Sequence, residues 1–86
     1  MSQKINEPVS VSMFFDHKKK KAVMGKVLWK NRLYEIKSQG LRHTYKKGSN
    51  TFHVFAVATE SISLRLIFDS SSLLWELEEV YDPNFR

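Results

Sequence analysis

The chain has 86 residues, of which 42% are hydrophobic, it contains no cysteine, and its net charge is +5. This length predicts one domain over residues 1–86, and the lack of cysteine excludes disulfides, thiolate metal sites and a cysteine nucleophile. Since no apolar run approaches the roughly 20 residues of a membrane span, and residues 1–8 lack the apolar core of a signal peptide, we expect a cytoplasmic protein without a membrane partner.

Alternating apolar and polar residues predict short strands along the whole chain. The first strand begins at Pro8, because proline suits a strand end where its missing N–H matters least, and we expect residues 1–7 to be flexible. The apolar face of this strand carries Val9, Val11, Met13 and Phe15. Asp16, His17 and the lysines of residues 18–21 then form a turn or loop.

The second strand covers residues 22–30. One of its faces carries Val23, Val27 and Trp29, and the other carries Met24, Lys26 and Leu28. Gly25 inside this strand predicts a bulge or a sharp bend. We expect Trp29, a large apolar residue, to belong to the core.

Residues 30–32 form the next turn, because Asn31 tolerates the left-handed conformation. A third strand covers residues 33–38, with Tyr34 and Ile36 on one face. Gly40 is expected to interrupt the sheet before a fourth strand, residues 41–46.

Residues 47–50 have the composition of a hairpin loop. The fifth strand, residues 51–59, is apolar on both faces and contains no breaker, so we expect it inside the sheet. The sixth strand carries Ile62, Leu64, Leu66 and Phe68 on one face. Residues 69–72 then turn the chain.

The last segment, residues 73–81, fits two patterns. A helical stripe would carry Leu73, Leu74, Leu77, Val80 and Tyr81, whereas a strand would align Trp75, Leu77 and Tyr81. A strand is favoured, because a tight turn after a strong strand predicts a hairpin. Residues 82–83 end the element, and residues 83–86 form a tail. The fold class is therefore all-β, a single-domain antiparallel barrel or strongly curled sheet of about six to seven strands.

Enzyme signatures are absent from the sequence. The three glycines are scattered and form no phosphate loop. His43 and His53 could face each other across a hairpin, but a metal site would lack further ligands. Glu76 and Glu78 could form an acid pair, although a solvated face, or one that pairs with basic residues, explains them better. We therefore expect no catalytic residue, metal or cofactor.

Charge is unevenly distributed along the chain. Residues 17–53 hold eleven lysines or arginines and one acid, Glu35, whereas residues 54–86 hold two basic residues and six acids. A basic middle of this kind indicates contact with nucleic acid or an acidic protein. The alternative is that the two halves attract each other and serve solubility.

Aromatic residues interleave with these cations, as in small β-barrels that stack single-stranded bases and contact phosphates. The residues predicted to bind nucleic acid are Lys30, Arg32, Tyr34, Arg42, Tyr45, Lys46 and Lys47. Core packing is the alternative for Tyr34, and for Tyr45 stacking and core packing are equally open. The lysines of residues 18–21 are either a solvated loop or a tip that contacts phosphates.

A second hypothesis is an interaction or adaptor domain. Phe52 and Val54 occupy one face of the fifth strand, and Phe55 and Val57 occupy the other. Because Phe55 and Val57 oppose the first face and need cover, a sheet edge or an apolar face could bind a partner protein or a second copy of the chain.

Two segments resemble a known family. Residues 29–36 read Trp-Lys-Asn-Arg-Leu-Tyr-Glu-Ile and residues 75–82 read Trp-Glu-Leu-Glu-Glu-Val-Tyr-Asp. They resemble the patterns W-x-G/N-R-x-Y-x-V/I and W-x-L-x-x-V-x-D of small bacterial proteins of the DUF6504 type, a domain family of unknown function. Asn31 stands where glycine is common in that family. The resemblance covers about residues 8–82 and implies a final strand and, through relatives associated with DNA-repair polymerase genes, a link to nucleic acid. It carries over no catalytic residue.

Overall fold

A computed structural model describes the backbone of residues 2–83 and the side chains of all of these except Leu41. The chain forms seven strands: β1 Ser2–Asp16, β2 Lys21–Trp29, β3 Arg32–Glu35, β4 Ser38–Lys47, β5 Asn50–Ala58, β6 Ser63–Asp69 and β7 Leu74–Tyr81. Neighbouring strands are antiparallel, in the order β3-β2-β1-β7-β6-β5-β4, and the sheet curls strongly into a half-barrel. The predicted fold class and the final strand are confirmed. Residues 84–86, which belong to the expected tail, lie outside the described residues.

Strand β1 connects the two halves of the sheet. Residues 2–9 pair with β7 and residues 10–16 pair with β2. The strand begins at Ser2 rather than at the predicted Pro8, so residues 2–7 belong to the sheet, and Met1 lies outside the described residues. Ile5 packs against the core. Pro8 is tolerated inside the strand because the ladder with β2 begins only at Ser10.

A bulge in β2 changes which side chains are buried. The pairing of β1 with β2 shifts between Ser12 and Met13, and the inserted residue is Gly25. The predicted bulge is confirmed, but it moves Met24 onto the buried face of Val27, where Val23 was expected. A Cβ on Gly25 would lie 3.0 Å from Ser12 Oγ, so this close approach favours glycine.

A second bulge acts in the same way in β7. Leu77 pairs with Leu66 and Glu79 pairs with Arg65, which leaves Glu78 as the inserted residue. Val80 therefore joins Leu77 in the core, and Tyr81 is 49% exposed. The predicted alignment of Tyr81 with Leu77 is wrong, because one inserted residue reverses the alternation beyond it.

Gly40 lies within β4 and does not interrupt it. The third strand ends at Glu35 rather than at residue 38, and β4 continues through Gly40 with a register shift between Gln39 and Arg42. A Cβ on Gly40 would lie 3.3 Å from the Ala56 carbonyl oxygen. Glycine here permits a close approach of two backbones rather than a break.

The core lies inside the curl of the sheet and consists of Met24, Val27, Phe55, Val57, Leu64, Leu66, Leu77 and Val80. Trp29 packs against it, half-buried, in agreement with its predicted role. Val54 is buried outside this cluster, because it alternates with Phe55 along β5.

Residues 36–37 bring the two ends of the sheet together. The N–H of Ile36 donates to the Gly25 carbonyl oxygen at 2.9 Å, and the N–H of Lys37 donates to that of Ala58 at 2.8 Å. Strands β3 and β4 are the two edges of the sheet, and they are consecutive in the chain. The residues between them bond to β2 in one half of the sheet and to β5 in the other half.

The predicted turns are present. Gly48 and Ser49 connect β4 to β5, and Gly48 has a φ of 64°, which suits glycine. The lysine turn, residues 17–20, follows Asp16, whose carboxylate accepts the N–H groups of Lys18 and Lys19. Nowhere in residues 2–83 is there a helix long and apolar enough to cross a membrane.

Candidate nucleic-acid interface

The residues predicted to bind nucleic acid fall into two groups. The first group, Lys30, Arg32 and Tyr34, lies on the β2–β3 hairpin. The ammonium of Lys30 is 5.1 Å from the ring centroid of Trp29, and the guanidinium of Arg32 is 5.1 Å from that of Tyr34. Tyr34 is half-buried, so these cations already cover aromatic faces in the folded chain.

The second group lies on β4 and is divided between its two faces. Arg42 lies opposite the buried Phe55, which places it and Lys46 on the core side of the strand. Tyr45 and Lys47 point to the other side, where the Tyr45 ring stacks on Phe52 with 5.1 Å between centroids. The seven predicted residues therefore lie on two hairpins and both faces of β4.

A different set of cations converges on one concavity, which we call the basic cavity. It lies between the end of the β1–β2 hairpin and strands β4 and β5, and its volume is about 360 Å³. Its lining residues are Phe15, Lys20, Lys21, Ala22, Gln39, Arg42 and Phe55. Three of these are cationic and none is acidic, so the lining favours an anionic ligand.

The side chain of Gln39 connects the two walls of the basic cavity. Its Oε1 accepts the N–H of Met24 at 2.8 Å, and its Nε2 donates to the Ala22 carbonyl oxygen at 3.4 Å. Both partners lie in the first half of β2, whereas β3 pairs only with residues 26–29. The amide of Gln39 thus occupies the position that a neighbouring peptide group would otherwise take.

Arg42 is held by a histidine. Its Nη1 lies 3.0 Å from His53 Nδ1, and because guanidinium has only donors, the imidazole nitrogen accepts. His43 and His53 do not face each other as predicted, since Thr44 lies opposite His53 and His43 lies opposite Val54. Among residues 2–83, no group of three or more histidine or acidic side chains is placed to hold a metal ion.

Two phenylalanines give the basic cavity an aromatic character. Phe55 is 8% exposed and its ring centroid lies 5.3 Å from that of Trp75, so it belongs to the core beneath the cavity. Phe15 is 65% exposed at the end of β1. The two rings therefore differ, because Phe55 is fixed by packing and Phe15 is open to solvent.

Two acidic residues of β7, Glu78 and Glu79, form ion pairs with cations away from the basic cavity. Arg65 is exposed between the buried Leu64 and Leu66, and it lies 3.3 Å from Glu79 and 3.8 Å from Glu78. Lys4 also lies 3.8 Å from Glu78. Glu78 thus pairs with cations from outside the basic middle, and Arg42, Lys20 and Lys21 have no ion pair within the described part of the chain.

One exposed ion pair, between Glu35 at the end of β3 and Lys37 after it, shifts the pKa values of both side chains. The side chain of Lys37 donates a hydrogen bond to Glu35, and this bond, with the attraction between the charges, lowers the pKa of the Glu35 carboxyl. The same contacts raise the pKa of Lys37. Because Lys37 neutralises Glu35, the single acid within residues 17–53 does not offset the positive charge of the basic cavity.

Among the polar residues of the basic cavity, the sequence predicts Arg42 as a nucleic-acid contact, and Lys20 and Lys21 as part of either a solvated loop or a tip that contacts phosphates. It places Phe15 on an apolar face and carries no signal for Gln39. The available signal was the lysine run directly after two adjacent phenylalanines, Phe14 and Phe15.

Comparison of the chain with models of protein families, with curated proteins and with solved structures found no match. The resemblance to the DUF6504 type therefore stays a prediction. The geometry of the basic cavity is the basis for assigning a function.

Proposed function

We propose that this protein is a non-enzymatic binding module for nucleic acid, with its basic middle as the contact surface and the basic cavity at its centre. The observation that carries the proposal is the convergence of Lys20, Lys21 and Arg42 on a concavity without an acidic residue. The cations come from two separate chain segments, so their meeting is a property of the fold and not of one lysine-rich loop. A polyanion is the ligand that such a surface attracts most strongly.

The three cations have different roles in this proposal. The guanidinium of Arg42 has N–H groups beyond the one directed at His53, and its fork geometry suits two oxygens of one phosphate. The ammonium groups of Lys20 and Lys21 act as point charges toward neighbouring phosphates. The acidic residues that pair with Arg65 lie away from this surface and repel the polyanion less.

Titration of labelled oligonucleotides at several salt concentrations tests the proposal. Binding should weaken steeply with salt, because each neutralised phosphate contributes about 0.7–0.9 to the slope of log K against log salt. The triple variant Lys20→Gln, Lys21→Gln, Arg42→Gln should reduce that slope by roughly 2 and lower the affinity strongly.

A matched control removes the same charge elsewhere in the basic middle. The triple variant Lys30→Gln, Lys46→Gln, Lys47→Gln changes three of the sequence-predicted residues, none of which lines the basic cavity. It should bind more tightly than the cavity variant. Equal losses in both variants would show diffuse attraction, and no binding of the unmodified protein at low salt would refute the proposal.

We also propose a cytoplasmic location, from the lack of cysteine and of any long apolar run. The proposed function requires no cofactor, since the cations of the chain itself hold the ligand.

A second candidate function is that of a protein-interaction or adaptor domain. Leu73 and Leu74, at the β6–β7 turn, are each 68% exposed. Leu74 lies opposite Asp69, Asp69 lies opposite Phe52, and the Phe52 ring stacks on Tyr45. The exposed pair of leucines favours a protein partner or a second copy. Sedimentation velocity of the protein and of its Leu73→Ser, Leu74→Ser variant tests self-association, which would shift to monomer in the variant.

A further inference from the structure

We infer that the basic cavity takes one nucleotide of a single-stranded nucleic acid, with its base stacked on Phe15 and its phosphates held by Lys20, Lys21 and Arg42. This inference rests on the proposed function and adds the class of nucleic acid and the mode of contact. It follows from the shape of the cavity, the exposure of Phe15 and the anchoring of the cations.

The shape of the basic cavity favours an unpaired nucleotide. Its volume of about 360 Å³ lies within the range of roughly 300–1,000 Å³ that small-molecule sites occupy. Strands β1 and β2 form one wall and β4 and β5 form the other, so a ligand must enter between them. A base in a duplex is stacked and paired, whereas a single strand can place one base in a recess of this size.

Phe15 is available for stacking. It is 65% exposed, and it makes no aromatic ring contact within the described residues. Exposed aromatic rings beside a basic groove stack single-stranded bases with little sequence preference, because every base has a π-face. The buried Phe55 extends the apolar lining below it.

The cations around this ring are presented by ordered backbone. Lys20 has a φ of 54°, and its N–H donates to the Asp16 carbonyl oxygen at 2.7 Å. The Asp16 carboxylate is bound by the turn itself, because it accepts two backbone N–H groups, and it does not line the cavity. Together with the contact between Arg42 and His53, these bonds fix the backbone of the lysine turn and the guanidinium of Arg42 before the ligand arrives, which lowers the entropy cost of binding.

Phe14 supplies an internal control for Phe15. The two phenylalanines are adjacent in β1 and almost equally exposed, at 63% and 65%. Because side chains alternate along a strand, Phe14 lies on the opposite face, and it does not line the basic cavity. Loss of either ring changes composition and exposure equally, but only Phe15 can contact a nucleotide in the cavity.

The experiment measures fluorescence anisotropy of a labelled oligothymidylate and of a labelled duplex with the protein and its variants. The protein should prefer the single strand. Phe15→Ala should weaken that binding by roughly ten- to a hundredfold, as expected for the loss of one stacked base. Phe15→Trp should retain binding, and Phe14→Ala should leave it unchanged. Far-ultraviolet circular dichroism and urea unfolding of each variant verify that the fold is kept.

The outcomes separate this inference from the proposed function. Equal affinity for duplex and single strand, or equal effects of Phe14→Ala and Phe15→Ala, would overturn the single-strand inference while salt-dependent binding preserved the proposed function. Absence of binding to either nucleic acid at low salt would overturn both.

Discussion

At the scale of single residues, the ion pair between Glu35 and Lys37 shifts the pKa values of both side chains. Both side chains are exposed, so the pair contributes little to overall stability. It nevertheless matters for charge, because Glu35 is the single acid within residues 17–53. Glu35 pairs with Lys37. The three cations of the basic cavity therefore have no acidic partner within the described residues.

The pH dependence of this pair has a definite sign. The pKa of Glu35 is lowered in the folded chain, so its stabilising effect is present above the pKa of an unfolded glutamate and is lost as the pH falls through the lowered value. The pKa of Lys37 is raised, so its contribution is present below the pKa of an unfolded lysine and is lost as the pH rises through the raised value.

We expect Lys37→Gln to raise the pKa of Glu35 toward its ordinary value, because the hydrogen bond and the attraction are both removed. Nuclear magnetic resonance titration of the Glu35 carboxyl carbon measures this directly. High salt should produce part of the same change in the unmodified protein. An unchanged Glu35 titration in the variant would contradict the contact.

The connection between the β1–β2 hairpin and β4 is the main feature at the scale of elements. Strand β3 is short and leaves the first half of β2 without a neighbouring strand on that side. Gln39 binds to this free edge at Met24 and Ala22. One side chain therefore satisfies a backbone donor and acceptor and holds the two walls of the basic cavity together.

We expect Gln39→Leu to lower the free energy of unfolding by about 1–3 kcal/mol, because it leaves the partly buried Met24 N–H without an acceptor. Gln39→Glu should have a smaller effect, since a carboxylate can still accept from Met24 but repels the Ala22 carbonyl oxygen. Urea unfolding followed by tryptophan fluorescence measures both changes.

Gln3→Leu is the matched control for this prediction. Gln3 is exposed on β1, and no hydrogen bond of its side chain occurs within the described residues. This substitution should change the free energy of unfolding by no more than about 0.5 kcal/mol. A Gln39→Leu variant as stable as Gln3→Leu would show that the amide does not connect the walls.

At the scale of the whole molecule, β1 joins the two halves of the sheet, because it pairs with β2 on one side and with β7 on the other. Strand β1 is the only strand among the described residues that pairs with both β2 and β7. Its first part, residues 2–9, forms all of its contact with β7, and Ile5 contributes to the core. The long-range pairing of residues near the two chain ends is therefore what makes one sheet from two meanders.

We expect deletion of residues 2–7 to abolish cooperative unfolding or to lower the urea midpoint severely, because it exposes the edge of β7 and removes Ile5 from the core. Lys4→Gln, which removes only an exposed ion pair with Glu78, should change the free energy of unfolding by at most about 1 kcal/mol. Retention of the native midpoint after the deletion would contradict the role assigned to β1.

Sequence patterns predict the number of strands and the turns, but not every strand end and not the faces beyond each bulge. Gly48, the lysine turn and the apolar strand that became β5 carry local signals, because turn chemistry and alternation act over a few residues. The buried faces of Met24 and Val80 differ from the prediction, since one inserted residue reverses the alternation: Gly25 marks the bulge in β2 but not the face that it buries, and Glu78 leaves no mark of the bulge in β7.

The sequence by itself determined that this is an all-β chain with a basic middle and an exposed lysine turn. These properties follow from composition and local periodicity. Only the tertiary structure decided that residues 2–7 pair with β7, and that Lys20, Lys21 and Arg42 meet around Phe15 in the basic cavity. Those arrangements depend on how far the sheet curls, and the curl is set by several bulges and by contacts between residues distant in the chain.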